Sequence, residues 1–154
     1  MPQDIDRIDY KILRALQQDA RLTHQELSEK VGLSPSPCAR RIRKLETEGF
    51  ITGYSACIDD AQLGFGFSVF ISVRLDRQID DRLVAFEAEI RRCPEIVECW
   101  LMTGRFDYLL RVAVSDLAEF ERFLTSRLTK LPGVASLDSS VPIRRVKYLP
   151  ARLE

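Results

Sequence analysis

Five cations, Lys30, Arg40, Arg41, Arg43 and Lys44, fall between positions 30 and 45 with no acid among them. The 154-residue chain as a whole is balanced, with 23 Lys plus Arg against 23 Asp plus Glu. Such a local excess can neutralise phosphates, and an arginine fork can take both acceptors of a guanine edge. A basic run on a surface helix also reads as a solvated face, so its meaning depends on the helix that carries it. A second stretch, Trp100 to Leu110, turns on Gly104 with Asp107 close by. Amides at a glycine corner can hold a carboxylate and Asp107 can accept an ammonium, which together suit a zwitterionic amino acid. A plain hairpin with Asp107 as a turn residue fits the same spacing.

Other chemistries find little material. Gly64-Phe65-Gly66 lacks the third glycine and the strand-turn-helix setting of a dinucleotide site, and there is no phosphate-binding loop motif. The pairs Asp59-Asp60 and Asp80-Asp81 read as turn and helix-start residues, and the single histidine, His24, as a surface residue at a helix start. Cys38, Cys57, Cys93 and Cys99 contain no C-x-x-C pair, which points to reduced, mostly buried thiols. No catalytic set, metal site or cofactor is indicated. The start, Met1 to Asp6, has no charged-then-apolar signal and no long apolar run follows, so the chain reads as cytoplasmic and not membrane-bound.

The elements that must position the basic run are short helices. Ile5, Ile8, Ile12 and Leu16 form one stripe of a first helix. Thr23 and Glu26 have capping-box spacing, so a second helix starts near 23, and Gly32 supplies a tight corner. Ser34 then caps a third helix with Pro35 at its first position, running to about Glu48. On its wheel Cys38, Ile42 and Leu45 cluster, with Ser36, Arg40, Arg43, Lys44 and Thr47 opposite. Two helices around a glycine corner, the second basic outside and apolar inside, describe a helix-turn-helix.

In that setting Ser36, Pro37 and Arg40 are candidate base readers, and Arg41, Arg43 and Lys44, with Ser34, candidate phosphate anchors on double-stranded DNA. A bidentate contact from Arg40 to guanine supplies about 1 to 3 kcal/mol of discrimination.

After an extended stretch from Phe50 to Ile58 the period changes. The expected division is a DNA-binding domain over residues 1–57, a linker over 58–65 and a second domain over 66–154. The latter has the order βαββαβ: a strand from Phe67 to Leu75, a helix through Leu83, Phe86 and Ile90, and strands from Ile96 to Thr103 and Phe106 to Val114. A helix through Leu117, Phe120, Leu124 and Leu128 follows, then an extended segment from Val134 to Tyr148. Helices cover one face of such a sheet, and Phe70, Trp100, Leu110 and Val112 offer more apolar surface than one face uses, which predicts a dimer packed sheet on sheet.

These residues resemble the Lrp/AsnC, or feast/famine, family over nearly the whole chain. The likeness rests on Asp6-Arg7-Ile8-Asp9, Val31 to Cys38, Arg41 to Glu46, Gly49-Phe50-Ile51, Gly104 to Leu110 and Leu131-Pro132-Gly133-Val134 in this order and spacing. The resemblance implies an α+β chain: a winged-type helix-turn-helix followed by a ferredoxin-like βαββαβ (RAM) domain. It further implies homodimers that assemble into octamers or similar rings, and sequence-specific transcriptional control. An amino acid is implied between dimers, near Met102, Thr103, Gly104, Arg105 and Asp107, with Ser139 and Ser140 as neighbours. The alternative is an architectural DNA-binding and oligomerisation protein without an effector.

Overall fold

The computed structural model describes residues 5–76 and 80–153. Residues 1–4, part of the start from Met1 to Asp6 expected to lack a targeting signal, lie outside them. The chain forms two compact units, one of Met1–Cys57 with Lys147–Glu154 and one of Ile58–Val146.

In the first unit α1 spans Arg7–Gln18, α2 His24–Val31 and α3 Pro35–Thr47. Asp6 and Thr23 each close a capping box, with Asp9 and Glu26 reaching back. Gly32 ends α2 at φ 76°, a conformation that strains any side chain bearing a Cβ. The core is Ile12 from α1, Leu27 and Val31 from α2, and Cys38, Ile42 and Leu45 from α3. Each buried aliphatic side chain contributes about 1.5 to 3 kcal/mol. No strand is assigned from 50 to 66 among the described residues, so the segment expected to be extended carries no ladder.

The second unit contains β1 (Phe67–Leu75), α4 (Asp80–Ile90), β2 (Ile96–Leu101), β3 (Tyr108–Val114), α5 (Leu117–Ser126) and β4 (Val134–Ser140). The strands run antiparallel in the order β2-β3-β1-β4. Val69, Ile71 and Val73 pair with Val112, Leu110 and Tyr108, and this face packs on Phe86 and Ile90 of α4 and Phe120 and Phe123 of α5. Leu128 falls in a short 3-10 turn after α5 and stays in the core.

Several expectations are corrected here. Leu110 and Val112 are fully buried on the helix-covered face, because strand alternation sets them opposite Ile71 and Val69. The apolar part of the other face is therefore Phe70, Trp100 and Leu109. The last strand stops at Ser140, and Val141-Pro142 follows; proline offers no amide to a ladder. Over residues 60–64 the chain turns, in keeping with Asp59-Asp60 as turn residues: Asp59 accepts from the Ala61 amide and Asp60 meets Arg111 at 3.2 Å. Cys38 and Cys93 are buried, but Cys57 and Cys99 are exposed.

Candidate nucleic-acid interface and hairpin site

Helix α3 is held by one stripe and shows the opposite side to solvent. Cys38 and Leu45 are fully buried and Ile42 nearly so. Ser36, Arg40, Arg43 and Lys44 are exposed and lie within an arc of about 100° at the far side of the wheel. Pro35 and Pro37 occupy the first turn, where no helical amide bond is lost, and Pro37 is half-buried. Ser34 is the N-cap residue, as expected, but its hydroxyl makes no capping bond. The exposed hydroxyls of Ser34 and Ser36 and the cations of Arg40, Arg43 and Lys44 thus share one end and one side of a helix. Lys44 also lies 3.9 Å from Glu48.

Arg41, expected as a phosphate anchor, lies outside that arc. It sits on the flank of the buried stripe, and its Nη1 donates to Asp6 Oδ2 at 2.7 Å and Asp9 Oδ1 at 2.8 Å. Hydrogen bonds to Asp9 and Asp6 raise its pKa further. The carboxyl of Asp6 is held below its usual range by the Asp9 amide first and by Arg41 after the opposing cost of burial. Two carboxylates beside one guanidinium offset its charge, so its pull on a phosphate is weaker than that of Arg40 or Arg43.

The hairpin between β2 and β3 closes where the Met102 amide donates to the Asp107 carbonyl at 2.8 Å. Met102, Thr103, Gly104 and Arg105 are exposed, Gly104 takes φ 112°, and the Arg105 guanidinium lies 5.4 Å from the Phe106 ring centre. Asp107 is 6% exposed. Its amide donates to the Val73 carbonyl at 2.8 Å and its Oδ2 accepts from the Leu75 amide at 2.7 Å. The expectation that Asp107 stands open for an ammonium is corrected, since its carboxylate extends the ladder between β3 and β1. Ser139 and Ser140 face opposite sides of the sheet, opposite Ile71 and Phe70, so alternation keeps the two from serving one surface.

Residue spacing alone missed a pocket of about 300 Å³ beside the strands that carry this hairpin, between α4 and the edge of β2. Glu87, Arg91, Ile90, Cys99, Leu101 and Tyr108 line it. The Tyr108 hydroxyl donates to Glu87 Oε1 at 3.0 Å, while Arg91 meets Glu87 Oε2 at 3.1 Å. Burial, then Glu87, pushes the Tyr108 phenol well up, which keeps it a donor. No motif signals such a pocket, because its acid and phenol are 21 positions apart. The pairing of Asp6 with Asp9 was legible as an Asp-x-x-Asp capping box before the apolar stripe of α1.

Known proteins share both units. Residues 5–52 match the family model for a winged helix-turn-helix DNA-binding domain, and residues 68–151 that for the Lrp/AsnC ligand binding domain. The chain is 48% identical over 143 residues to the Bkd operon transcriptional regulator of Pseudomonas aeruginosa, covering 93% of this chain and 94% of that one. It is 42% identical to the leucine-responsive regulatory protein of Salmonella typhimurium, covering 94% and 88%. Among solved structures, a Neisseria meningitidis transcriptional regulator in complex with L-methionine superposes with a TM-score of 0.90 at 37% identity, covering 96% of this chain and 95% of that one. With a DNA-binding unit and a ligand-binding unit matched in order along one chain, this protein belongs to the Lrp/AsnC family of transcriptional regulators.

Proposed function

We propose that a dimer of this chain presents two α3 helices to a pseudo-palindromic operator and that an amino acid bound at the second unit shifts its assembly. The observation that carries the DNA reading is the exposed Ser36, Arg40, Arg43 and Lys44 face, opposite a stripe buried to 5% exposure or less. Ser36, Pro37 and Arg40, near the start of the helix, face the base edges; Arg43, Lys44 and Ser34 meet phosphates. Two dimers or more then assemble into a ring such as an octamer, with the effector near Met102, Thr103, Gly104 and Arg105.

For the effector, Glu87 and Arg91 are charged groups beside the hairpin residues; they pair with each other at 3.1 Å, so a zwitterion binds here by displacing that pair. A carboxylate for the ammonium and a guanidinium for the carboxylate lie on one wall of the pocket, and Ile90 and Leu101 supply apolar contact. Because the pocket is open to solvent along β2, a neighbouring dimer at the hairpin is what encloses it. Ligand affinity must differ between assembly states for binding to shift them. The neighbouring regulator bound to L-methionine supports an amino acid as the class of ligand.

Mobility shift on the upstream region of the gene tests the first part: Arg40→Ala is expected to weaken specific binding far more than binding to random DNA. Equal loss on both makes Arg40 a phosphate contact. Calorimetry across the twenty amino acids tests the second: one binder is expected, weakened by Glu87→Gln and Arg91→Ala. No heat from any amino acid favours the architectural protein without an effector.

A further inference from the structure

Asp6, Asp9 and Arg41 form a knot in which every carboxylate oxygen has a donor. Asp6 Oδ1 accepts from the amides of Ile8 at 2.8 Å and Asp9 at 2.9 Å, and Asp9 Oδ2 accepts from the Asp6 amide at 3.1 Å. The two remaining oxygens, Asp6 Oδ2 and Asp9 Oδ1, take the same Arg41 nitrogen. The Asp9 side chain is 2% exposed and that of Arg41 29%. The cap that starts α1 and the inner flank of α3 are therefore one hydrogen-bonded unit.

A single apolar stripe lets a helix roll about its own axis, since Cys38, Ile42 and Leu45 form a narrow line of contact. A roll of about 10° at an outer radius of about 5 to 6 Å displaces a side chain by about 1 Å, enough to spoil base hydrogen bonds. Arg41 lies off that stripe by about 60° from Cys38, where a tether resists roll best. We infer that Asp6 and Asp9 are positioning residues for DNA binding, acting through Arg41 to fix the roll of α3, and that Arg41 itself contacts no phosphate. This rests on the reading of α3 as the DNA-facing helix.

The sign of one substitution separates positioning from charge. Removing an acid from a protein that binds a polyanion raises affinity if charge alone acts; Asp9→Asn lowers it if Asp9 positions the helix. The experiment is fluorescence anisotropy of the full chain on a duplex from its own upstream region and on a random duplex, between about 50 and 200 mM salt. Asp9→Asn and Arg41→Lys are each expected to lower specific affinity about tenfold, with random binding less affected. The slope of log affinity against log salt stays unchanged for both, and for Arg41→Ala, while Arg43→Ala flattens it by about 0.9.

Circular dichroism melts fix a temperature at which each variant is folded. Where Asp9→Asn does not fold, Asp6→Asn, on the exposed half of the knot, is expected to give a smaller loss of specific affinity with the same slope. Tighter DNA binding by Asp9→Asn, wild-type affinity in Arg41→Lys or Asp6→Asn, or a flattened slope in Arg41→Ala overturns the inference. An unchanged slope in Arg43→Ala instead overturns the placement of α3 on DNA.

Discussion

With its Oδ2 2.7 Å from the Leu75 amide and its own amide bonded to Val73, Asp107 ties the start of β3 to the end of β1. Asp107→Ala leaves the Leu75 amide without this buried acceptor and is expected to cost about 1 to 3 kcal/mol. Asp107→Asn, which keeps an acceptor oxygen, is expected to cost less. Urea unfolding followed by circular dichroism measures both; an alanine variant as stable as the parent returns Asp107 to the role of ligand contact. The sequence placed Asp107 beside the glycine corner but not its direction, since its partner is 32 positions away across the sheet. Arg41 was more legible. Its angle on the α3 wheel already sets it apart from Arg40, Arg43 and Lys44, although its two acids lie 35 and 32 positions earlier.

At the scale of elements, local signals served well wherever the partner is a few residues away. Thr23 accepts from the Glu26 amide while Glu26 reaches back to Thr23, as the spacing indicates. Thr23→Ala is expected to cost about 1 kcal/mol in thermal or urea unfolding. Ser34 is the contrast: it occupies the N-cap of α3 without a side-chain bond. Ser34→Ala is therefore expected to leave stability within about 0.5 kcal/mol while weakening DNA binding, and a loss of stability like that of Thr23→Ala would make the hydroxyl a cap after all. The end of α3 is tied to the following segment by Tyr54, whose hydroxyl donates to Glu46 at 2.9 Å. Burial first, then Glu46, pushes its phenol up to about 12. The folded form thus holds this proton more tightly than the unfolded chain, whose value is near 10. Its contribution is intact below pH 10 and is lost as pH rises from about 10 to about 12. Tyr54→Phe is expected to flatten that part of a stability-against-pH curve, leaving the loss due to other tyrosines. What the sequence misjudged at this scale was extent: β4 ends before Pro142. The turn expected at Asp59-Asp60 forms from local bonds, and what spacing does not show is that Asp60 also meets Arg111, 51 positions on.

For the whole molecule, we expect copies to meet on the sheet face away from the helices. Trp100 pairs with Leu109 and Phe70 with Arg111 on this face, while Arg111 is held by Glu98 at 2.8 Å and Asp60 at 3.2 Å. Trp100 is 43% exposed. An apolar centre of tryptophan, phenylalanine and leucine with a satisfied arginine beside it matches a self-complementary interface better than a solvated surface. The βαββαβ order makes an uncovered face legible, but which of Phe70, Trp100, Leu110 and Val112 lie on it is decided by register and not by composition. Trp100→Arg puts a charge on the apolar part of this face, which a sheet-on-sheet dimer buries, without touching the buried core on the other face. Light scattering at micromolar concentration is expected to show the parent as at least a dimer and this variant as a monomer with the same circular dichroism spectrum. Operator affinity then falls steeply while the salt dependence per helix is kept, because one α3 reads only one half-site. A variant that remains dimeric moves the interface to the exposed segment after β4, where Ile143 is fully exposed and Val146 nearly so.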